Sequence, residues 1–323
     1  MEREIRWGLL GPGRIARAVA AETATMPGMR FTAVASRDEG RARAFAEEFG
    51  VERAYGDYAR LLADPAVEAV YVAVPHNHHL ALVQEALAAG KGVLCEKPLG
   101  LSEAEVEAMV ASARAGGRFL MEAVTTRFIP TIAQVQAWVC EGAIGEPGLL
   151  QAFFCFDAGD DAAGRHLNPA LAGGALRDLG VYPLTLAEML LGEGPGRTVA
   201  SAALAPTGVD ATTSMTVHYP GGTVAQLTVS VGRAAGVHAT LWGSQGRIEI
   251  PAFHAPAVAH LHRDGEERRT FAAEPAGRFR FEFEEANRCL REGLLESPRM
   301  RWGDSLRLAR WQDAILAQIA AGG

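Results

Sequence analysis

From residue 5 to about residue 122, short apolar runs alternate with segments of helical periodicity. The apolar runs at 5–10, 31–35, 69–74, 92–95 and 119–121 predict strands, and 15–25, 41–49, 80–89 and 102–115 predict helices. Ser102 followed by Glu105 reads as a capping box, in which the serine oxygen and the glutamate each satisfy a free amide. Strict alternation of this kind implies a parallel sheet covered by helices on both faces. Such sheets take their ligands at the carboxyl ends of the strands.

The pattern changes after about residue 123. Strand-like runs at 149–156, 213–219, 223–231, 237–242 and 247–250 follow one another without helices between them. Pro220-Gly221-Gly222 and Gly243-Ser244-Gln245-Gly246 sit between neighbouring runs as hairpin turns. The alternation Thr213-x-Met215-x-Val217-x-Tyr219 suits a sheet with one buried face. Segments 279–292 and 305–319 read as helices, and 157–168 as a polar loop able to cover a site. The fold class expected is therefore α/β. A doubly wound parallel sheet over residues 1–123 precedes an α+β domain over 124–323 with a large, mainly antiparallel open sheet. Helix 304–320 is expected to pack back on the first domain.

Composition narrows the classes. With 323 residues, 49% hydrophobic and 21% charged, the chain is long enough for two cores. A net charge of −7 argues against a nucleic-acid partner, which needs a basic face. An anionic cofactor needs only local positive charge, which Arg14, Arg37, Arg41 and Arg43 supply. Cys95, Cys140, Cys155 and Cys289 are scattered and form no Cys-x-x-Cys pair, so neither a zinc site nor a disulfide scaffold is expected. Met1-Glu2-Arg3-Glu4 lacks the basic-then-apolar layout of a signal peptide, and no apolar stretch is long enough for a bilayer. A cytoplasmic location with no membrane partner is expected.

The first run leads into Gly11-Pro12-Gly13-Arg14-Ile15-Ala16. This fits the dinucleotide turn of a Rossmann domain, with a tight strand–helix turn that binds nothing as the alternative. Gly11 permits the bend, Gly13 lets backbone approach a pyrophosphate, and Ala16 permits close helix–strand contact. The second run ends at Ser36-Arg37-Asp38. A hydroxyl and a guanidinium ahead of the acid suit a ribose 2′-phosphate, so NADP is favoured, with NAD as the alternative through Asp38. The run to Val74 ends in Pro75-His76-Asn77-His78-His79. No carboxylate or cysteine lies among these histidines, so a loop lining the nicotinamide, through Pro75, His76 and His79, is favoured over a metal site. His260-x-His262 reads as a strand edge. Glu96-Lys97-Pro98 closes the next run. A lysine at a strand end, in the same domain as a nucleotide turn, points to a cofactor and a catalytic cation brought together.

Three segments together resemble the glucose-fructose oxidoreductase/inositol dehydrogenase (Gfo/Idh/MocA) family of nicotinamide enzymes. They are the Gly11–Ala16 turn, the Glu96-Lys97-Pro98 triplet, and Gly173-Gly174-Ala175-Leu176-Arg177-Asp178-Leu179-Gly180-Val181-Tyr182-Pro183. Met121-Glu122-Ala123, Thr126-Arg127-Phe128 and the tail from Glu296-Ser297-Pro298 to Ser305-Leu306 point to the branch of dimeric dihydrodiol dehydrogenases and NADP-dependent D-xylose dehydrogenases. The resemblance implies a Rossmann domain followed by a domain whose open sheet faces a partner subunit or solvent, hence a homodimer or higher homo-oligomer. It also implies that Lys97 and Tyr182 flank the substrate with Asp178 beside them. Many members carry histidine where this chain has Tyr182. Thr125 stands where related members often carry a bulky aromatic or methionine, which reshapes the substrate pocket.

Oxidising an alcohol removes a hydride from carbon and a proton from oxygen. The resemblance leaves two groups for the proton. Tyr182 is one, its phenolate favoured by the nearby cation; Lys97, its charge disfavoured by the nicotinamide, is the other. Asp178 orients one of them or bonds a substrate hydroxyl. Arg127, His166 and Thr125 are further candidates for substrate contact. The activity expected is an NADP-dependent oxidoreductase acting on a CH–OH group of a sugar, polyol or cyclic diol. Two other readings stand beside it: a non-catalytic NADP-binding regulator, and a sugar–sugar oxidoreductase with tightly held nicotinamide. The last is disfavoured by the lack of an N-terminal extension to wrap the cofactor.

Overall fold

A computed structural model describes residues 3–194, 196–273 and 277–322. The elements run β1 (Ile5–Leu10), α1 (Arg14–Thr23), β2 (Met29–Ala35), α2 (Glu39–Phe49), β3 (Arg53–Tyr55), α3 (Tyr58–Leu62), β4 (Ala69–Val72), α4 (His79–Ala88), β5 (Gly92–Glu96), α5 (Glu103–Gly116) and β6 (Leu120–Ala123). They continue with α6 (Pro130–Cys140), β7 (Pro147–Asp157), α7 (Ala175–Leu179), α8 (Val181–Leu191), β8 (Arg197–Leu204), β9 (Asp210–His218), β10 (Val224–Ser230), β11 (Gly232–Gly243), β12 (Gly246–Pro251), β13 (Val258–Arg263) and β14 (Arg269–Ala272). The chain closes on α9 (Arg280–Glu292) and α10 (Trp302–Ala320).

Two compact units result. Unit 1 takes the chain up to Val124 together with Phe279–Ala309; unit 2 takes Thr125–Arg278 and the chain from Arg310 onward. α9, expected above in the second domain, belongs to unit 1, and α10 is divided between the units.

Unit 1 is a six-stranded sheet in the order β3-β2-β1-β4-β5-β6, and every pairing is parallel. The order reverses direction between β1 and β4, which is where doubly wound sheets open a crevice for ligands. The strands are buried on both faces, as their continuous apolar runs require. α9 covers one face. Phe283, fully buried, meets the rings of Trp7, Phe31 and Tyr71 edge-on at 5.2, 5.8 and 5.4 Å. Trp7 Nε1 donates to Asn287 Oδ1 at 2.9 Å on the same helix. The Ser102 cap forms as the sequence indicates, accepting from the Glu105 amide at 3.3 Å, while Glu105 Oε2 reaches one residue further back and accepts from the Leu101 amide at 2.8 Å.

Unit 2 is an eight-stranded sheet in the order β14-β13-β12-β11-β7-β10-β9-β8. Its pairings are antiparallel except for β7 with β10. The two glycine turns join β9 to β10 and β11 to β12. Thr213, Met215 and Val217 point inward, as the alternation requires. Inner residues such as Leu150, Ala152, Leu227, Leu241 and Ile248 are buried, as are Leu184, Leu186 and Ala187 of α8. β3, β8, β14, α3 and α6 carried no usable pattern, while the strand edge read at His260-x-His262 is β13. β8 is alanine-rich and lies at a sheet edge, and α6 is rich in β-branched residues, which lower helix propensity. No helix among the described residues is long and apolar enough to cross a membrane.

Candidate active site

The glycine turn follows β1 directly. Gly11 has φ +90°, and a Cβ there would stand 2.7 Å from Val74 Cγ1 and 3.0 Å from the Ala73 carbonyl oxygen. Both the bend and the close packing against the end of β4 therefore demand glycine. At Gly13 a Cβ would meet nothing within 4 Å, so the space beside this backbone is open to an approaching phosphate. Gly13 is the N-cap of α1; no side chain caps the helix and no acid stands in its first turn. Its amide end is thus suited to an anion. Pro12 is buried, Ile15 is partly buried and Arg14 is exposed at the same end.

At the end of β2, Ser36 is buried and its Oγ accepts from the Asp38 amide at 3.2 Å. Asp38 caps α2, its Oδ1 accepting from the Arg41 amide at 3.2 Å. Tyr58 stands in the same neighbourhood: burial raises its phenol pKa, and the charges of Arg37 and Arg41 act against that rise. The acid weighed above for the ribose is engaged at a helix terminus, and two guanidinium groups share surroundings with a phenol that the sequence did not single out.

The Lys97 turn leaves β5 at Glu96. The Lys97–Pro98 peptide is cis, and Lys97 is partly buried. Buried polar side chains grip this turn. Tyr71, fully buried on β4, donates to Glu96 Oε1. Burial pushes its phenol pKa well up, and the charges of Glu96 and Glu282 push the same way. Glu122 Oε1, buried at the end of β6, accepts from the Leu99 amide at 3.0 Å. Pro75 is exposed and His76 partly buried on the loop after β4. His79, expected above to line the cofactor, is fully buried instead. Its Nδ1 lies 3.0 Å from the Pro98 oxygen and 3.2 Å from the Leu99 oxygen, and its Nε2 lies 3.0 Å from the Val74 oxygen. The ring has no face left for a ligand, because the first turn of α4 turns it into the core. Among the described residues, no group of three His, Cys, Asp or Glu could hold a metal ion.

In unit 2, Asp178 is buried on α7. Arg165 Nη2 donates to its Oδ1 at 2.5 Å, and His166 Nδ1 lies 3.2 Å from its Oδ2. The 157–168 loop thus folds onto the candidate acid. α7 is fixed by Asp210, whose Oδ2 accepts from the Leu176 amide and from Thr213 Oγ1, both at 2.7 Å. Gly174 precedes the helix at φ +123°, where a Cβ would stand 2.3 Å from Asp210 Oδ1. Tyr182, at the start of α8, packs on Phe154 at 5.1 Å and on His254 at 5.8 Å; Phe154 and His254 are 4.7 Å apart, and Phe156 meets His166 at 5.3 Å. Thr125 and Thr126 are buried, and Thr126 Oγ1 donates to the His254 carbonyl at 3.2 Å. Arg127 pairs with Glu188 of α8, Nη2 to Oε2 at 2.7 Å, with both side chains nearly buried. The pair joins the 125–127 turn to α8.

Unit 2 therefore brings Asp178, His166 and Arg165 together, and sets Tyr182 in an aromatic cluster with Phe154 and His254. Sequence reasoning missed Arg165, Phe154, Phe156 and His254. The run Phe153-Phe154-Cys155-Phe156 was a usable signal, since residues two apart on a strand share a face. His254 carried none: it lies in a turn about a hundred residues from Phe154.

Comparison with known proteins agrees with this geometry. The family model described as "Oxidoreductase family, NAD-binding Rossmann fold" (GFO_IDH_MocA) matches residues 5–124, and "GFO/IDH/MocA C-terminal domain" matches residues 132–249. The chain is 37% identical over 317 residues to trans-1,2-dihydrobenzene-1,2-diol dehydrogenase of Mus musculus, covering 94% of each chain. It is 34% identical to the enzyme of that name from Danio rerio, covering 98% of this chain and 97% of the other. Among solved structures, KijD10, a 3-ketoreductase from Actinomadura kijaniata in complex with NADP and TDP-benzene, aligns with a TM-score of 0.88 at 31% identity over 98% of both chains. An aldose-aldose oxidoreductase from Caulobacter crescentus aligns with a TM-score of 0.90 at 27% identity over 99% of both.

Proposed function

The chain belongs to the Gfo/Idh/MocA family of oxidoreductases with an NAD(P)-binding Rossmann fold, and from that premise we propose that it is an NADP-preferring dehydrogenase/reductase acting on a CH–OH group of a sugar, polyol or cyclic diol. The observation that carries the reading is the buried support of the Lys97 turn: Tyr71 and Glu122 hold it at the carboxyl edge of the same sheet that presents the open Gly13 backbone. Support of this kind is how a reacting group is kept in one place.

The residues suited to the cofactor fall in unit 1. Gly11, Pro12, Gly13, Arg14 and Ile15 present the pyrophosphate turn, Ser36, Arg37 and Arg41 suit a 2′-phosphate, Pro75 and His76 stand on the loop after β4, and Glu96 ends β5. Asp38 is committed to capping α2, which favours NADP over NAD; the structures of KijD10 contain NADP. When bound, the nicotinamide accepts or donates the hydride. The protein manages the proton: on oxidation the alcohol O–H proton passes to Tyr182 as phenolate or to Lys97 as free amine, and on reduction it returns. Asp178 orients the substrate hydroxyl, with Arg165 holding the carboxylate and His166 beside it. The phenyl ring of Phe156 and the imidazoles of His166 and His254 suit the apolar face of a cyclic substrate. A homodimer through the open face of the unit 2 sheet completes the proposal.

The test is turnover of aldoses, polyols and cyclic diols with NADP and NAD, alongside fluorescence-monitored binding of NADPH and NADH. Lys97→Met and Tyr182→Phe are each expected to lower turnover by about 10²–10⁴-fold, the range general acid–base groups contribute, while NADPH still binds. Near-normal turnover in both variants defeats the assignment. The Caulobacter neighbour favours a second reading, in which one sugar is oxidised and another reduced on a retained nicotinamide. Sustained turnover of a sugar pair without added cofactor selects it.

A further inference from the structure

We infer that His79 is a positioning residue: it ties the loop after β4 to the Lys97–Leu99 turn after β5 and so fixes the place from which Lys97 works. The inference rests on the reading above that Lys97 serves the reaction.

Three backbone carbonyls from two loops end on one imidazole. Pro98 and Leu99 face Nδ1 at 3.0 and 3.2 Å, and Val74 faces Nε2 at 3.0 Å. All three are acceptors only, so the ring can bond to them only by donating. His79 is also fully buried, where water cannot replace a lost partner. A carbonyl left unserved there costs far more than one at the surface. Imidazole suits the task because its two nitrogens point in nearly opposite directions. An amide has its donors on one atom, and a hydroxyl has a single donor. A neutral ring donates to one loop; an imidazolium donates to both. Burial lowers the basicity of this ring, and the three carbonyls and the Glu105 carboxylate offset part of that.

What the ring joins gives the contact its purpose. Val74 leads into Pro75 and His76, and the His76 ring stands edge-on to His79 at 5.6 Å. Pro98 and Leu99 follow Lys97 directly. Tyr71 and Glu122 tie the same turn to β4 and β6. His79 adds the link to the neighbouring loop, at the carboxyl ends of two adjacent parallel strands. Displacement of a reacting group by about 1 Å can cost roughly 10²-fold in rate. A buried polar tie between the two loops is a means of preventing it.

The experiment compares His79→Leu, His79→Asn, His79→Gln and Lys97→Met with the parent protein, measuring kcat and KM on the best substrate of the panel, NADPH affinity and thermal midpoint. Asparagine places an amide N–H where Nδ1 stands, toward Pro98 and Leu99. Glutamine reaches toward the Nε2 position and Val74. His79→Leu is expected to lower kcat by about 10–100-fold, with NADPH affinity changed less than kcat. His79→Asn is expected to recover more of kcat than His79→Gln, whichever of the two melts higher. If Lys97→Met abolishes turnover but His79→Leu keeps kcat within twofold, the inference is wrong and the catalytic reading survives. Equal losses in the asparagine and glutamine variants, in step with thermal midpoint, reduce His79 to a structural part and overturn the inference. Near-normal turnover of Lys97→Met removes the catalytic reading and the inference with it. Where the leucine variant does not fold, the parent protein decides. ¹⁵N-histidine labelling, assigned by His79→Asn, is expected to show a slowly exchanging ring N–H at His79, and rapid exchange there overturns the proposal.

Discussion

The Lys97 turn of unit 1 and the Asp178–Tyr182 stretch of unit 2 are held by different means. The turn is gripped by side chains from its own sheet and the helix beside it: Tyr71, His79 and Glu122, on elements that follow one another within about fifty residues. The Asp178–Tyr182 stretch is assembled from far apart. Asp210 fixes α7 from β9, Arg165 and His166 reach Asp178 from a loop, and Phe154 and His254 flank Tyr182 from β7 and the turn after β12. One arrangement is stiff because its supports are buried and local. The other depends partly on Arg165, whose side chain is half exposed, in a loop that has less packed around it. A nucleotide site that accepts one cofactor tolerates the first arrangement. On the function proposed above, the second arrangement suits a substrate site, where a loop change alters contacts without disturbing the sheet.

The sharpest way to break the comparison is to remove the anchor under the Lys97 turn. Phe283 of α9 packs against Trp7, Phe31 and Tyr71, and Tyr71 is the donor to Glu96. Phe283→Ala is expected to cost about 3–5 kcal/mol in stability, as for other fully buried large-to-small changes. Urea unfolding followed by segment-resolved hydrogen exchange checks it. Exchange is expected to rise in β1, β4, β5 and α9 first, with α7 and α8 following later. A loss spread evenly over both units would mean that the two sites share one framework.

This anchor also shows where sequence reading ends. Gly11, Gly13, the Ser102 cap and the alternation in β9 are local signals, because their physical causes lie within a few residues. The same holds for the Glu96-Lys97-Pro98 triplet at a strand end. The placement of α9 was not legible: its amphipathic pattern announces a helix with a buried face, while the partner face, Trp7 through Asn287, lies 280 residues away. Three histidines in four positions look alike in sequence, yet only His79 turns inward, since the start of α4 fixes which side of the helix faces the core. Asp38, weighed in the sequence only as the alternative ligand for the ribose, caps α2, which begins two residues earlier than its apolar pattern shows. Arg127, read as a substrate contact, pairs with a glutamate sixty-one residues on. In unit 2 the 173–183 stretch was legible through family resemblance, whereas the residues surrounding it come from four other segments and have no sequence periodicity in common.

A smaller change sharpens the other side of the comparison. Asp210 accepts from the Leu176 amide and from Thr213 in a buried setting. Asp210→Ala leaves both donors unserved and is expected to cost about 1–3 kcal/mol. α7 is five residues long and has little helical stability of its own, so its loosening should displace Asp178. Turnover should therefore fall while NADPH affinity in unit 1 stays within about twofold, a difference worth only about 0.4 kcal/mol. Equal loss of both would deny that the two arrangements are separately supported. Asp210→Asn keeps one acceptor and should fall between the parent and the alanine variant.

The smallest expected effect uses acid, because the buried carboxylates of the two units respond to protons in opposite directions. In unit 1, burial pushes Asp64 up, but the Ala66 amide, the Tyr55 hydroxyl and Arg53 together outweigh it and hold the carboxyl below its ordinary range. Burial likewise pushes Glu285 up, but Arg288, Ser297 and Cys289 overcome it and hold the carboxyl low. In unit 2 burial wins at Asp210 over Thr213 and the Leu176 amide, and its pKa is raised. The signs follow from proton linkage. A lowered folded value gives stability that is present above the unfolded carboxylate value near ~4 and is lost as pH falls through the folded one. A raised folded value gives stability that is present below the unfolded value and is lost as pH rises through the folded one. Glu249 of unit 2 is also held low, once burial is outweighed by Arg247 and His262, but it is a partly exposed pair and salt screens it. Lowering pH through the carboxylate range should therefore open the surroundings of Asp64 and Glu285 before those of Asp210. Pulse hydrogen exchange after incubation at stepped pH is expected to label 53–67 and 280–297 ahead of 174–184 and 209–217. In the Asp210→Asn variant the second pair of segments should lose its acid advantage and the interval between the two openings should narrow. Opening of 174–184 first in the parent protein would show that the half-exposed Arg165 contact, and not the buried Asp210, governs unit 2.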